Sequence, residues 1–128
     1  MRKRQVFLMV LLVSVVSVIQ GCVVAAVGAG AAGTVAYIRG DLETVESADI
    51  EAVYRAVVRA MDKLELSVIQ KSKDAMSAEV IARDAQDKKI KIKLNATAEG
   101  TTKVSIRVGT FGSETKSRLI YDRIKKEL

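Results

Sequence analysis

Histidine is absent from this 128-residue chain, and cysteine occurs once, at Cys22. Without histidine, the chain lacks the commonest general base and a frequent metal ligand. A single cysteine cannot form an intramolecular disulfide, so the fold must be held together by its apolar core. The acidic residues lack the spacing of a calcium-binding loop, and no group of residues points to Ser-Lys or paired-carboxylate catalysis. We therefore expect a protein that is not an enzyme and that holds no metal or cofactor.

The excess of positive charge is concentrated at the amino terminus. The whole chain has 21 Lys or Arg and 15 Asp or Glu, a net charge of +6. Arg2, Lys3 and Arg4 supply three of those charges, so residues 22–128 carry 18 basic against 15 acidic side chains, a net charge of +3. No aromatic residues alternate with the basic ones, so we expect no nucleic acid as a partner.

Residues 1–21 have the order of a secretory signal peptide. Three basic residues come first, and Val6 to Ile19 then form an apolar run interrupted only by Ser14 and Ser17. Gly21 supplies a small residue at the expected cleavage point. The pattern predicts that residues 1–21 direct export and are then removed.

The end of this segment, Ile19-Gln20-Gly21-Cys22, resembles the lipobox of bacterial lipoproteins. The resemblance implies that a diacylglycerol is attached to the thiol of Cys22 and that the chain is cut just before it. Val23 follows the cysteine where inner-membrane lipoproteins of enteric bacteria have Asp. We therefore expect an outer-membrane lipoprotein facing the periplasm, or one on the cell membrane if the organism has a single membrane. The alternative is an uncleaved membrane helix from Val6 to about Ala26.

Gly28, Gly30 and Gly33 match the pattern G-x-G-x-x-G of dinucleotide-binding loops. That loop requires a preceding strand, a helix that begins at the glycines and a crossover to a parallel strand. Here the glycines begin six positions after Cys22, and a lipidated amino terminus cannot also be the central strand of such a sheet. We expect no nucleotide, and we interpret residues 22–40 as a membrane-proximal segment. It is either a flexible tether or a glycine-spaced helix.

Residues 41–128 have the periodicity of a single α+β domain. Thr34 to Leu42 is rich in β-branched and aromatic residues and predicts a first strand. A helix is predicted over residues 49–64, with Ser47 as its cap. Its apolar stripe consists of Ile50, Val53, Tyr54, Val57, Met61 and Leu64.

After Leu64 the period changes to two, which predicts four antiparallel strands. They cover about 66–71, 76–83, 89–94 and 103–108. A last helix is predicted after Ser113, with an apolar side formed by Leu119, Ile120, Ile124 and Leu128. The predicted fold is an antiparallel sheet of four to five strands with two amphipathic helices on one face, in the order β-α-β-β-β-β-α.

The segment Ser105-Ile106-Arg107-Val108-Gly109 and the pair Phe111-Gly112, before a helix that begins near a serine, resemble a family of small uncharacterised bacterial lipoproteins. The resemblance covers most of residues 22–128. It implies a shared fold and brings no known activity. We expect Phe111 to fill the core between the sheet and the last helix, and the alternative is that its ring stacks on a ligand.

The polar face of the predicted sheet is rich in basic residues, with Glu79 as the main opposing charge. These residues are Lys71, Arg83, Lys89, Lys91, Lys93, Lys103 and Arg107. Such a face could bind anionic lipid or envelope glycan, or an acidic envelope protein, or it could serve solubility alone. The sequence therefore favours a membrane-anchored, non-enzymatic accessory or docking protein of the cell envelope, with a binder of anionic lipid or glycan as the alternative.

Overall fold

The computed structural model of this chain describes residues 1–9, 35–97 and 100–128. The chain divides into two units, Met1–Ala31 and Ala32–Leu128. In the first unit, residues 2–9 are helical (α1). Among the described residues, no helix combines the length and the apolar character needed to cross a bilayer. Cys22 and the three glycines of the G-x-G-x-x-G pattern lie outside the described residues.

The second unit is an α+β fold built on a six-stranded antiparallel sheet. In chain order its elements are β1 (Ala36–Ile38), β2 (Asp41–Glu46), α2 (Ile50–Lys63), β3 (Ser67–Lys73), β4 (Ser77–Arg83), β5 (Lys89–Ala96), β6 (Thr102–Val108) and α3 (Glu114–Glu127). The strands lie in the order β1-β2-β6-β5-β4-β3, so β1 and β3 form the two edges. The predicted fold class is therefore confirmed in outline, with more strands than the sequence indicated.

The additional strand comes from a hairpin at the start of the domain. Thr34 to Leu42 was expected to form one strand, but Arg39 and Gly40 adopt positive φ values of 52° and 91°. Two consecutive residues in this conformation make the tight turn that joins antiparallel strands. Ile38 consequently pairs with Asp41, and the chain returns along β2.

Alternate residues of the central strands face the two helices. On β6, Val104, Ile106 and Val108 are buried, while Lys103 is exposed. The same alternation buries Ile90, Ile92 and Leu94 on β5 and Ala78, Val80 and Ala82 on β4. The register predicted for these three strands is confirmed.

Helix α2 covers β4 and β5 with an apolar stripe of Val53, Ala56, Val57, Ala60 and Met61. Its N-cap is Asp49, whose carboxylate accepts a hydrogen bond from the Ala52 N–H at 2.8 Å. The predicted cap, Ser47, lies two residues too early. Asp49 is the cap because its side chain reaches the free N–H groups of the first turn.

Helix α3 packs beside α2 and over β6 and β2. Its cap is Ser113, as predicted. The expected apolar side is partly wrong, because Leu119 is 56% and Leu128 is 48% exposed. The buried positions are instead Ser117, Ile120, Tyr121 and Ile124, which recur at helical spacings of three and four.

The prediction that Phe111 fills the core is also wrong, because its side chain is 92% exposed. Positive φ values at Gly109 and Gly112 turn the connection between β6 and α3 so that this side chain projects outward. The core beneath α3 is closed by Ile120, Tyr121 and Ile124 instead.

Strand β3 departs from the expected alternation because its register shifts between Val68 and Gln70. Val68 pairs with Ala82, whereas Lys71 pairs with Val80, so both lie on the helix-covered side of the sheet. An extra residue in one strand of an antiparallel pair reverses the sides of all residues beyond it. The prediction that Lys71 belongs to the basic face is therefore wrong.

Candidate functional site

Both helices cover the same side of the sheet, so the other side is uncovered among the described residues. We call this side the open face. Three adjacent strands contribute Asp41 and Glu43 from β2, Lys103, Ser105 and Arg107 from β6, and Lys89, Lys91, Lys93 and Asn95 from β5. The strand pairing brings carboxylates and cations together, since Arg107 lies between Asp41 and Lys91, and Ser105 lies between Glu43 and Lys93.

The centre of the open face is a depression of about 440 Å³. We call it the basic groove. It is lined by Asp41, Glu43, Lys91, Lys93, Asn95, Lys103, Ser105 and Arg107. Four cations against two carboxylates make this site positive, and four of the seven basic residues predicted for the polar face lie in it.

Two of the four cations are paired within the protein. The Lys103 ammonium lies 3.1 Å from a Glu43 carboxylate oxygen. The Arg107 Nε donates to an Asp41 oxygen at 2.9 Å, and its Nη2 donates to the Arg39 carbonyl at 2.6 Å. Arg107 thus joins β6 to β2 and to the β1–β2 turn, which makes it a structural clamp as much as a surface charge.

The other two cations have no such partner. In the described part of the chain, no carboxylate lies within ion-pair distance of the Lys91 or Lys93 ammonium. Lys93 is exposed and Lys91 is half-buried. These two lysines are therefore the groove's free positive charges, available to an anionic ligand.

The remaining three basic residues of the predicted face lie outside the groove. Lys89 lines a smaller depression of about 160 Å³ with Lys91, Arg107, Gly109 and Thr110. Arg83 is paired with Asp87 at 3.0 Å. Lys71 lies on the other side of the sheet.

Sequence reasoning missed the two carboxylates of the groove. Asp41 and Glu43 reach the open face because the turn at Arg39 and Gly40 pairs β1 with β2, and β2 then pairs with β6. Gly40, a glycine between two β-rich stretches, is a turn signal that could have located this turn.

A buried polar cluster lies on the helix-covered side of the same strand. The Tyr121 hydroxyl donates to the Glu46 carboxylate, and the Thr44 hydroxyl lies 3.5 Å from the Tyr121 oxygen. All three residues are at most 6% exposed. Burial, reinforced by the hydrogen bond to Glu46, raises the pKa of Tyr121 to about 12. A tyrosine held so firmly in its protonated form serves as a structural donor to Glu46.

Two aspartates have lowered pKa values for reasons of local structure. The Lys116 ammonium, 2.8 Å away, and the Lys88 N–H hold the pKa of Asp84 below its usual range. The N–H of Met76 and the hydroxyl and N–H of Ser77 do the same for Asp74. Both carboxylates order the turns that flank β4.

The basic groove presents both positive and negative side chains to a ligand. The site offers ammonium and guanidinium groups to anions, and two carboxylates that would repel a uniformly anionic surface. Within residues 1–9, 35–97 and 100–128, no three acidic or cysteine side chains are grouped so that they could hold a metal ion.

Comparison with known proteins places the whole of this fold in one family. No curated protein matches the chain. The match to a family runs over residues 5–127 and so covers the amino-terminal segment as well as the α+β domain. The chain belongs to the family described as protein of unknown function (DUF3568).

Proposed function

We propose that this protein is a lipid-anchored, non-enzymatic docking protein of the cell envelope that holds an acidic partner protein in its basic groove. The observation that carries the proposal is the pair of free cations, Lys91 and Lys93, in a depression on an uncovered sheet face. A groove of about 440 Å³ has room for several side chains of a partner.

The charges of the open face favour a protein over a lipid or glycan surface. Glu79 lies opposite Lys93 in the strand pairing, and Asp41 and Glu43 border the groove on its other side. A layer of phosphate groups would repel all three carboxylates, whereas a protein segment can place its own carboxylates against the lysines alone. Anionic lipid or envelope glycan is the competing ligand that the experiment must distinguish.

The anchor in this proposal is the lipid on Cys22, supported by the signal-peptide pattern of residues 1–21 and by the lipobox resemblance. With Val23 after the cysteine, the proposed location is the outer membrane, facing the periplasm. An anchored docking protein needs no reactive group, which suits a chain without histidine.

The test is site-specific photo-crosslinking in intact cells. A photoreactive residue at Asn95, which lines the groove and is exposed, reports what lies against it. We expect one dominant protein adduct. Because Lys93→Glu places a carboxylate against the partner's acidic group, the adduct should fall about tenfold, which corresponds to about 1.4 kcal/mol of binding free energy.

The matched control is Lys126→Glu, which makes the same change of charge at an exposed position of α3. We expect this variant to leave the adduct unchanged. Equal loss in both variants, an adduct insensitive to Lys93→Glu, or crosslinking to lipid or glycan in place of protein would contradict the proposal.

A further inference from the structure

Phe111 is the most exposed large apolar side chain of the α+β domain, yet its backbone is held firmly. A Cβ added at Gly40 would lie 2.6 Å from the Phe111 carbonyl oxygen, and one added at Gly112 would lie 2.3 Å from the Gly40 oxygen. The β1–β2 turn and the loop between β6 and α3 are therefore in backbone contact. The Gly109 N–H also donates to the Lys89 carbonyl at 2.8 Å. The connection thus presents the phenyl ring to the surroundings from an ordered loop.

Another apolar side chain and several cations lie at this end of the domain. Ile38 is 50% exposed and immediately precedes the Arg39–Gly40 turn that contacts Phe111. Lys89 and Lys91 line the small depression that begins at Gly109 and Thr110. In the described part of the chain, neither lysine has a carboxylate within ion-pair distance.

We propose that Phe111 and Ile38 enter the interfacial layer of the bilayer while Lys89, in the depression beside them, binds lipid phosphate. An aromatic ring flanked by lysines suits the boundary between headgroups and acyl chains, because the ring is buried while the ammonium groups stay with the phosphates. The inference rests on the proposed lipid anchor, and it adds a contact that orients the anchored domain.

The length of chain between the anchor and the domain permits this contact. Twelve residues, 23–34, separate Cys22 from Val35, and twelve residues span at most about 40 Å. Gly40, which touches the Phe111 backbone, follows Val35 by five residues, or roughly 17 Å at most. A bilayer that holds the lipid on Cys22 is therefore within reach of Phe111. The tether permits this contact, and Lys89, which has no carboxylate within ion-pair distance in the described part of the chain, favours anionic lipid over a protein partner at this end.

The chain contains no tryptophan, so Phe111→Trp introduces a single tryptophan as the fluorescent reporter. The lipidated protein, purified from cells with residues 1–21 removed, would be reconstituted into vesicles of equal amounts of phosphatidylcholine and phosphatidylglycerol with brominated acyl chains. We expect the emission of Phe111→Trp to be quenched several-fold by the bromine atoms. The matched control is Ile69→Trp, which replaces a 56% exposed apolar side chain on β3, at one edge of the sheet, and should remain unquenched. Equal quenching at the two positions, or none at Phe111→Trp, overturns the proposal.

A charge reversal tests the part assigned to the lysine. Lys89→Glu in the Phe111→Trp protein should reduce the ratio of quenched to unquenched tryptophan roughly fivefold or more, since a basic residue near an anionic surface contributes about that factor. Lys125→Glu, at an exposed position near the end of α3, is the control and should change nothing. If Lys89→Glu leaves the quenching unchanged, Lys89 does not bind phosphate.

Flotation of the vesicles separates this inference from the proposal on which it rests. Protein that does not float with the vesicles lacks the anchor, and the proposed function then fails. If the protein floats but the tryptophan of Phe111→Trp is not quenched, the anchor is present. Only the proposed contact of Phe111 and Ile38 with the bilayer is then overturned. The photo-crosslinked adduct at Asn95 tests docking in the basic groove independently of these vesicle experiments.

Discussion

At the scale of single residues, Glu46 and Tyr121 show how a buried carboxyl group finds a hydrogen-bond partner in this small core. The Glu46 carboxylate is 6% exposed and accepts a hydrogen bond from the Tyr121 hydroxyl. Burial of such a group without a donor would cost free energy, because water no longer solvates it. The contact also joins α3 to β2, the strand that carries the carboxylates of the basic groove on its opposite side.

This pair predicts a pH-dependent effect of Tyr121→Phe. At pH 7 we expect the free energy of unfolding to fall by about 1–3 kcal/mol, because Glu46 loses its donor. The folded-state pKa of Tyr121, about 12, lies above the ordinary value of 10. The contribution of the Tyr121 hydroxyl to the wild-type free energy of unfolding is therefore fully present below pH 10. It is lost as the pH rises through 12, by about 2–3 kcal/mol.

The measurement is denaturant unfolding of a fragment covering residues 32–128, which contains the core described above, at pH 7 and between pH 10 and 12. Tyr121→Phe has no hydroxyl group whose contribution could be lost. The difference in free energy of unfolding between the wild type and this variant should therefore narrow as the pH rises. Contributions of the groups that both proteins share cancel in the difference. A gap that is constant across this range would contradict the role given to the Tyr121 hydroxyl.

At the scale of elements, the two edges of the sheet are protected in different ways. β1 has only three residues, and an edge that short gives another strand little to pair with. β3 has seven exposed residues but carries a register shift and two lysines. Lys73 turns toward α2, where it pairs with Glu51 and lies 5.2 Å from the centre of the Tyr54 ring. A bulge and positive charge are common defences against edge-to-edge association.

The connection between β6 and α3 offers a matched pair of glycine substitutions. Gly109 and Gly112 have φ values of +74° and +82°. Alanine in this conformation costs roughly 1–2 kcal/mol at either position. A Cβ at Gly109 would meet nothing within 4 Å, whereas one at Gly112 would lie 2.5 Å from the Gly40 Cα.

We therefore expect Gly112→Ala to destabilise the 32–128 fragment clearly more than Gly109→Ala, because only Gly112→Ala must push the β1–β2 turn away from the loop. Parallel urea melts of the two variants give this comparison directly. If the two midpoints shift equally, the backbone contact between these connections contributes nothing to stability.

At the largest scale, the described part of the α+β unit has two unlike sides. The helices cover one side of the sheet with a continuous core that runs from Leu42 to Ile124. The other side carries exposed cations and half-buried carboxylates. A domain covered on one side and open on the other suits attachment to a membrane with one surface left free for a partner.

The proposed anchor is tested on the whole protein in cells. Cys22→Ser removes the thiol that would receive the diacylglycerol, and we expect an uncleaved precursor that incorporates no labelled palmitate. The wild type should incorporate the label and fractionate with outer-membrane markers on a sucrose gradient. A wild type without label would refute the lipid anchor, and co-migration with inner-membrane markers would refute the sorting.

Local pattern was sufficient for most of the elements. The alternation in β4, β5 and β6, the apolar stripe of α2 and the Ser113 cap of α3 depend on neighbours two to four positions away, which the sequence shows directly. Four of the basic groove's residues could be predicted for the same reason, because they lie on the outward side of strands whose inward side is apolar.

Long-range pairing decided the rest. Asp41 and Glu43 reach the groove only because β2 pairs with β6, more than 50 residues later in the chain, and a period of two in one strand does not say which strand lies beside it. The exposure of Phe111 depends on the backbone contact of its loop with Gly40, and the position of Lys71 depends on a one-residue shift against β4. The sequence by itself determined which residues could be buried. The tertiary structure decided which charges meet, because that depends on the order of the strands and on where their register changes.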